Sequence, residues 1–297
     1  MTRIAWIGLG TMGRGMALNM LRGSCDMAVC DLRPERLDEF RRQGIAVSAN
    51  PSCAVGADFV FLSLPDTKAV EEVLCGENGL AGRMSGGIVV DLSTISYQAT
   101  LRIGEMLARR GISFLDAPVS GMKARAEDGT LTVMCGGEQG VFEAVEPYLR
   151  RIGSKVLYMG RQGSGQLAKL INQLLFDINV AALAEILPMS VRMGLDSCKI
   201  GEIVNSGTGR SYASEFFIPR TLDGVFDEGY PLESAYKDLV SAAELSAQQK
   251  IPLPVLHAAT VTYQTALLRG LGAQSKGAMI RVYEELLGVS FRRSPTD

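Results

Sequence analysis

The sequence predicts an α/β fold, a doubly wound sheet domain followed by an all-helical domain. Three observations predict it. Short apolar runs alternate with helical patterns through roughly the first half of the chain. A glycine-rich turn directly follows the first of those runs. Beyond the glycine-rich stretch 159–165, no further strand run appears. Strands alternating with helices need crossover connections, and so a mostly parallel sheet.

The run 4–9 is compact and apolar, and 12–22 follows with helical spacing. Further strand candidates lie at 27–30, 59–64, 88–92, 113–115 and 130–135, with a helical pattern at 34–43. Each strand candidate is short and flanked by turn residues. The second region opens with one long helix, 166–193. Pro188 lies inside it, removes a backbone donor, and is expected to kink or interrupt it. Helices are expected at about 196–206, 211–222, 232–249, 254–269 and 275–287. The division between domains is placed at 161/162, giving 1–161 and 162–297. The tail 291–297 is expected to fray.

Composition narrows the class. The chain has 297 residues, 47% hydrophobic and 21% charged, which is globular composition and suits two domains. A net charge of −2 offers no basic excess for phosphate neutralisation, so no nucleic-acid partner is expected. No signal peptide is read at the N-terminus. The most apolar window, 167–187, carries Lys169, Asn172, Asp177, Asn179 and Glu185, and reads as a core helix rather than a membrane span. The cysteines at 25, 30, 53, 75, 135 and 198 form no C-x-x-C pair. They read as small apolar residues of a reducing, cytoplasmic interior. His257 is the single histidine, so no metal site is expected. It lies in an apolar helical stretch and reads as a packed or hydrogen-bonded helix residue, which leaves acid/base work to another side chain.

Gly8, Leu9, Gly10, Thr11, Met12 and Gly13 follow the first strand and open a helix. Glycines there permit a tight turn, close approach of backbone to a pyrophosphate, and tight helix packing, with helix N–H groups facing the phosphates. Asp31 ends the second strand, where a carboxylate binds ribose hydroxyls and repels a 2′-phosphate. This is the Rossmann dinucleotide pattern. NAD is favoured as cofactor, while Arg33 and Arg36 leave NADP open.

Four ordered blocks carry a further likeness: 7–19 around the glycine turn, 116–121 continuing to 129–132, 163–172, and Lys237 with Asp238. Across essentially its whole length the chain resembles the β-hydroxyacid dehydrogenase family, which includes 3-hydroxyisobutyrate and 2-(hydroxymethyl)glutarate dehydrogenases and the tartronate and succinic semialdehyde reductases. The resemblance implies that Ser120 and Gly121 hold a substrate carboxylate, that Thr94 contacts the nicotinamide end, and that Leu64 and Pro65 lie beside the cofactor. It further implies that Lys169 is the catalytic lysine, Asn172 its substrate-orienting partner, and Lys237 a second lysine at the nicotinamide edge. The residues themselves agree with this. Lys169 and Asn172 are spaced i, i+3 and share one helix face. A lysine in such an apolar setting suits proton transfer, because desolvation lowers its pKa.

Departures from the family pattern concern the substrate. Met122 stands where a second glycine is usual, followed by Lys123 and Arg125. Gln274, Ser275 and Lys276 stand where an acidic residue is common, and Tyr230 where a phenylalanine is. Stretch 206–212 looks most like the 2-(hydroxymethyl)glutarate and 3-hydroxyisobutyrate members, and Arg210 is either an anchor for a second carboxylate or a structural helix-start arginine. The expected activity is hydride transfer between a nicotinamide cofactor and a small β-hydroxyacid. The alternative is reduction of an aldehyde acid by the same residues. Imine reductases usually replace the lysine, 6-phosphogluconate dehydrogenase carries a histidine block absent here, and a non-catalytic scaffold would typically lose Lys169. A homodimer or homotetramer through the helical domain is expected, because the long helix is apolar on most faces.

Overall fold

The computed structural model describes residues 2–23 and 25–293. Compactness divides the chain inside one long helix, into Met1–Lys169 and Leu170–Asp297. The first unit runs β1 (Arg3–Ile7), α1 (Gly13–Leu21), β2 (Asp26–Cys30), α2 (Asp38–Arg42), β3 (Ala46–Ser48), β4 (Phe59–Leu62) and α3 (Thr67–Cys75). It continues with β5 (Ile88–Asp91), α4 (Tyr97–Ala108), β6 (Ser113–Asp116), β7 (Val119–Ser120), α5 (Met122–Asp128), β8 (Leu131–Gly136), α6 (Gln139–Leu149) and β9 (Gly153–Gly160).

The strands form one sheet in the order β3-β2-β1-β4-β5-β6-β8-β7, with β9 beside β8. From β3 to β6 every pairing is parallel. The chain walks outward from β1 to β3, then returns to β4 on the other side. This reversal opens a crevice above the carboxyl ends of β1 and β4, the place where doubly wound sheets bind ligands. Both faces of the sheet are covered, so β1 reads as an uninterrupted apolar run. Ile4 and Trp6 enter one core with Met16, Phe40 and Phe61, while Ala5 and Ile7 enter the other with Leu62, Leu74 and Ile103.

Some elements depart from the sequence pattern for visible reasons. The helical pattern at 34–43 splits into a 3₁₀ turn at Pro34–Arg36 and the short α2. Strands β3 and β7 carry little apolar signal. β9 does contain an apolar run, 156–159, but it lies at an edge of the sheet, leaves Leu157, Tyr158 and Met159 exposed, and runs directly into the glycine-rich stretch.

The second unit is helical among its described residues. α7 (Ser164–Arg192) is followed by α8 (Ser197–Ser206), α9 (Tyr212–Leu222), α10 (Leu232–Gln249), α11 (Pro254–Leu268) and α12 (Ile280–Leu287). Asp196 caps α8 by accepting from the Lys199 N–H at 2.8 Å, and Ser211 with Ser214 forms a capping box on α9. α7 is long and apolar enough, by length and composition, to cross a membrane. In this fold its Val180, Ala181, Ala184 and Leu187 form a core with Phe217, Leu239, Leu256 and Tyr263. The helix runs unbroken through Pro188, so the expected interruption does not occur. His257 is exposed on α11 rather than packed. Fraying does not begin at 291: Phe291 is fully buried and its N–H donates to Glu284 at 2.8 Å. Residues 294–297 of that tail lie outside the described residues.

Candidate active site

Gly8 leaves β1 at φ +97°, and a Cβ there would lie 2.2 Å from the Ser63 carbonyl oxygen. At Gly13 a Cβ would lie 2.2 Å from the Gly8 carbonyl oxygen. These two glycines are demanded by the fold itself. Gly10 is different: a Cβ would meet only the Arg36 guanidinium, at 3.9 Å. No other described residue comes within 4 Å of that position, which fits a pyrophosphate approaching the backbone at Gly10.

Asp31 is buried at the end of β2 and organises this loop. Its Oδ2 accepts from the Leu9 N–H at 2.7 Å and from Arg36 Nη1 at 3.3 Å, and its Oδ1 accepts from the Arg33 N–H at 2.9 Å. Leu32, the next residue, is 82% exposed and so stands clear of the sheet.

Around the crevice the strand ends are tied together. The Leu64 N–H donates to Ser93 Oγ at 2.9 Å, linking the turn after β4 to the turn after β5. Gln166 donates through Nε2 to the Ser93 carbonyl at 2.7 Å and accepts from the Ile95 N–H at 3.2 Å. Asp116, at the end of β6, accepts from the Gly163 N–H at 2.7 Å and the Gln166 N–H at 2.9 Å. The start of α7 is thereby fixed to the carboxyl edge of the sheet. That edge also carries Gly8–Gly13, Leu64, Pro65 and Thr94; Pro65 and Thr94 are exposed. Gly165 permits the fit, since a Cβ there would lie 2.3 Å from the Met134 carbonyl oxygen. One turn further along α7, Lys169 is buried.

Burial shifts the acids of this network. Asp91 is fully buried, with Oδ1 accepting from the Ser93 N–H at 3.0 Å and Oδ2 without a partner among the described residues. Burial pushes its carboxyl up to about 7. Burial likewise pushes Asp116 up to about 6, against the opposing pull of its backbone donors. Ser120 closes β7 and is half-buried. Gly121 follows at φ +145°, a conformation that favours glycine, and Met122 at φ +61° starts α5.

The remaining candidates belong to the second unit. Asn172 is exposed on α7, and Lys237 is exposed on α10. Gln173 and Asp238, their immediate neighbours, hydrogen-bond at 3.3 Å and so join α7 to α10. Tyr230 is 47% exposed, and burial of the rest of the side chain, with Asp238 and Asp177 nearby, pushes its hydroxyl up to about 12. Lys276 is buried, donates to Asp177 at 2.5 Å, and lies over the rings of Phe176 at 4.1 Å and Tyr230 at 5.7 Å. Arg210 is exposed and pairs with Glu215 at 3.4 Å.

Sequence reasoning assigned no role to Asp91, Ser93, Gln166 or Asp116. Their signal is visible in retrospect: polar residues directly after apolar strand runs, and a glutamine behind a glycine pair. What the sequence did not show is that these residues bond to one another.

The comparisons fit this geometry. Residues 3–160 match the family model described as the NAD binding domain of 6-phosphogluconate dehydrogenase. Residues 163–283 match the model described as NAD-binding of NADP-dependent 3-hydroxyisobutyrate dehydrogenase. The chain is 37% identical over 291 residues to 2-(hydroxymethyl)glutarate dehydrogenase of Eubacterium barkeri, with 97% of each chain covered. It is 30% identical over 283 residues to 2-hydroxy-3-oxopropionate reductase of Escherichia coli, covering 95% of this chain and 97% of that one. A crystal structure of 3-hydroxyisobutyrate dehydrogenase from Salmonella typhimurium superposes with a TM-score of 0.85 at 28% identity, covering 95% of this chain and all of that one.

Proposed function

The chain belongs to the β-hydroxyacid dehydrogenase family of NAD(P)-dependent oxidoreductases acting on CH–OH groups, and from that premise we propose how its residues divide the reaction. The cofactor supplies the acceptor or donor of the hydride. Residues 1–161 bind it, with Gly8–Gly13 around the pyrophosphate, Asp31 on the adenosine ribose, and Leu64, Pro65 and Thr94 along its nicotinamide half. Ser120 and Gly121 hold the substrate carboxylate. Asn172 orients the substrate hydroxyl, Lys237 borders the nicotinamide, and Tyr230 and Arg210 shape the specificity end. The helical part, 162–297, completes the substrate site and makes a homodimer or homotetramer, and the enzyme works in the cytoplasm.

Lys169 is the general acid/base. As hydride leaves the alcohol carbon, the hydroxyl proton passes to the Lys169 amine, and in reduction the ammonium returns it. One observation carries this reading: Lys169 is a buried lysine one turn into a helix fixed by Asp116 and Gln166 to the crevice edge of the sheet. The substrate is a small β-hydroxyacid of the 3-hydroxyisobutyrate type. The relative at 37% identity supports a dicarboxylate substrate as a second reading, with Arg210 released from Glu215 to meet the added carboxylate.

Lys169→Ala tests the assignment. A general acid/base contributes about 10²–10⁴-fold to rate, so kcat should fall by that factor with cofactor affinity nearly unchanged. Lys169→Arg should not restore it, since guanidinium keeps its proton. An alanine variant retaining more than about a tenth of wild-type kcat on its best substrate would remove Lys169 from the role. The same assay, run over hydroxyacids and aldehyde acids with both cofactors, is expected to give higher kcat/KM with NAD. A preference for NADP would mean that Arg33 or Arg36 outweighs Asp31.

A further inference from the structure

Cys30 and Cys53 are 23 residues apart in sequence, in no recognisable motif. The fold brings them together. Cys30 is the last residue of β2, 1% exposed. Cys53 is half-buried in the 3₁₀ turn Pro51–Ala54, where Asn50 caps the turn by accepting from the Ser52 N–H. This turn packs on β1 and β2. Cys53 packs against the buried apolar cluster that Cys30 enters, and there the two thiols interact with each other, while the Ser48 hydroxyl and the Arg3 charge act on Cys53. Ser48 is the register partner of Cys30 in the sheet.

The surroundings divide the work between the two sulfurs. The neighbouring Cys30 thiol, aided by Ser48 and Arg3 and opposed by burial, holds the Cys53 thiol below the usual thiol range. The same interaction and burial push the Cys30 thiol up. Cys53 is both the solvent-reachable thiol of the two and the more readily ionised, and the thiolate is the reactive form. Its neighbour is sealed from solvent and positioned to respond.

We propose that Cys30 and Cys53 are a reversible redox modification site, an attacking and a resolving cysteine that a peroxide converts to a disulfide. The Cys53 thiolate attacks one peroxide oxygen. An S–O bond forms, the O–O bond breaks, and hydroxide leaves and is protonated to water, with Cys53 oxidised to the sulfenic acid. The Cys30 sulfur then attacks the sulfenic sulfur. The S–S bond forms, the S–O bond breaks, and the departing hydroxide takes the Cys30 proton as a second water. Two thiols and one hydrogen peroxide give one disulfide and two waters.

The site reports to the cofactor loop through the backbone of Cys30. The Cys30 carbonyl accepts from the Gly8 N–H at 2.8 Å, and the next residue, Asp31, holds the Leu9 N–H through its carboxylate and the Ser48 carbonyl through its own N–H. Drawing Cys30 toward the 3₁₀ turn displaces the strand end that shapes the glycine turn. This consequence rests on the reading of Gly8–Gly13 and Asp31 as the cofactor site. Oxidation should weaken cofactor binding by about tenfold, the worth of one charge-assisted hydrogen bond.

The test treats the full-length enzyme with hydrogen peroxide, maps its peptides without reduction, and measures NADH and NADPH binding by fluorescence before and after. A linked peptide joining Cys30 to Cys53, weaker cofactor binding, and recovery of both on adding dithiothreitol are expected. Cys53→Ser and, separately, Cys30→Ala should each bind cofactor as the reduced wild type does and keep that affinity after peroxide. Oxidation of Cys53 to sulfinic acid with no linked peptide overturns the proposal. A linked peptide with unchanged affinity overturns its coupling to the cofactor. Failure of the reduced wild type to bind either cofactor would instead count against the cofactor-site reading, and the peptide map would still decide the disulfide.

Discussion

Asp91 and Asp116 end neighbouring strands of the sheet, side by side in register, and both are fully buried. Asp116 has two backbone donors from the start of α7 and so earns its place by fixing the helix that carries Lys169. Asp91 is less well compensated, with one carboxylate oxygen unpartnered among the described residues. The folded chain therefore keeps a proton on Asp91 up to about pH 7, whereas the unfolded chain releases it near 3.8. Between those values the folded state binds more protons than the unfolded one. The stability contributed by this group is complete below about pH 4 and is lost as pH rises through about 7. Asp91→Asn cannot ionise and removes this slope. In paired urea titrations at pH 5 and pH 8, wild type should lose on the order of 2 kcal/mol more than the variant between the two pH values. Equal losses in both proteins would show that Asp91 is ionised in the fold throughout.

The glycine turn separates what the fold requires from what the ligand requires. Gly13→Ala puts a Cβ against the Gly8 carbonyl oxygen, a backbone atom that cannot swing away. It should cost at least about 1–3 kcal/mol of stability, as overpacking does. Gly10→Ala meets nothing closer than a mobile guanidinium, so its stability should stay within about 1 kcal/mol of wild type. Its cofactor affinity should nevertheless fall by about tenfold or more, since the methyl occupies the phosphate's approach. Thermal melts and cofactor titrations on both variants check this, and a Gly10→Ala enzyme with wild-type affinity would sink the reading. The turn, β1 and the start of α1 were legible because strand, glycines and helix are contiguous in sequence. β1, β2, β4 and β5 were legible because both faces of the sheet are covered, which makes each an apolar run. β9 was not, because its short apolar run 156–159 leads straight into the glycine-rich stretch that reads as a junction and leaves most of its side chains exposed. The tie from Ser93 through Gln166 to Asp116 was not either, because hydrogen bonds across more than 40 residues leave no spacing to read. The cysteines show the same limit: their spacing suggested small core residues, and only the folded sheet sets Cys30 beside Cys53.

At the scale of the whole molecule, α7 presents an apolar face that the described residues leave uncovered. Ile171, Leu175, Ile186, Met189 and Met193 are each about half or more exposed, and Ala182 is exposed among them. Their spacing follows a 3–4 repeat along one side of the helix. The opposite side carries Val180, Ala181, Ala184 and Leu187 into the core of the second unit. A helix with apolar residues on both sides is stable in water only when the second side is also covered. In the proposed assembly a second copy of the same helix covers it through a symmetric, self-complementary contact, the commonest form of homo-oligomer. Light scattering at micromolar concentration should therefore give a dimer or tetramer. Ile186→Glu combined with Met189→Glu places two carboxylates one helical turn apart in the middle of that face, where pairing would bury them without partners. The double variant should shift to monomer while its far-ultraviolet circular dichroism remains that of the wild type. Wild-type monomer under these conditions, or an unchanged assembly in the double variant, would exclude this face of α7 as the interface.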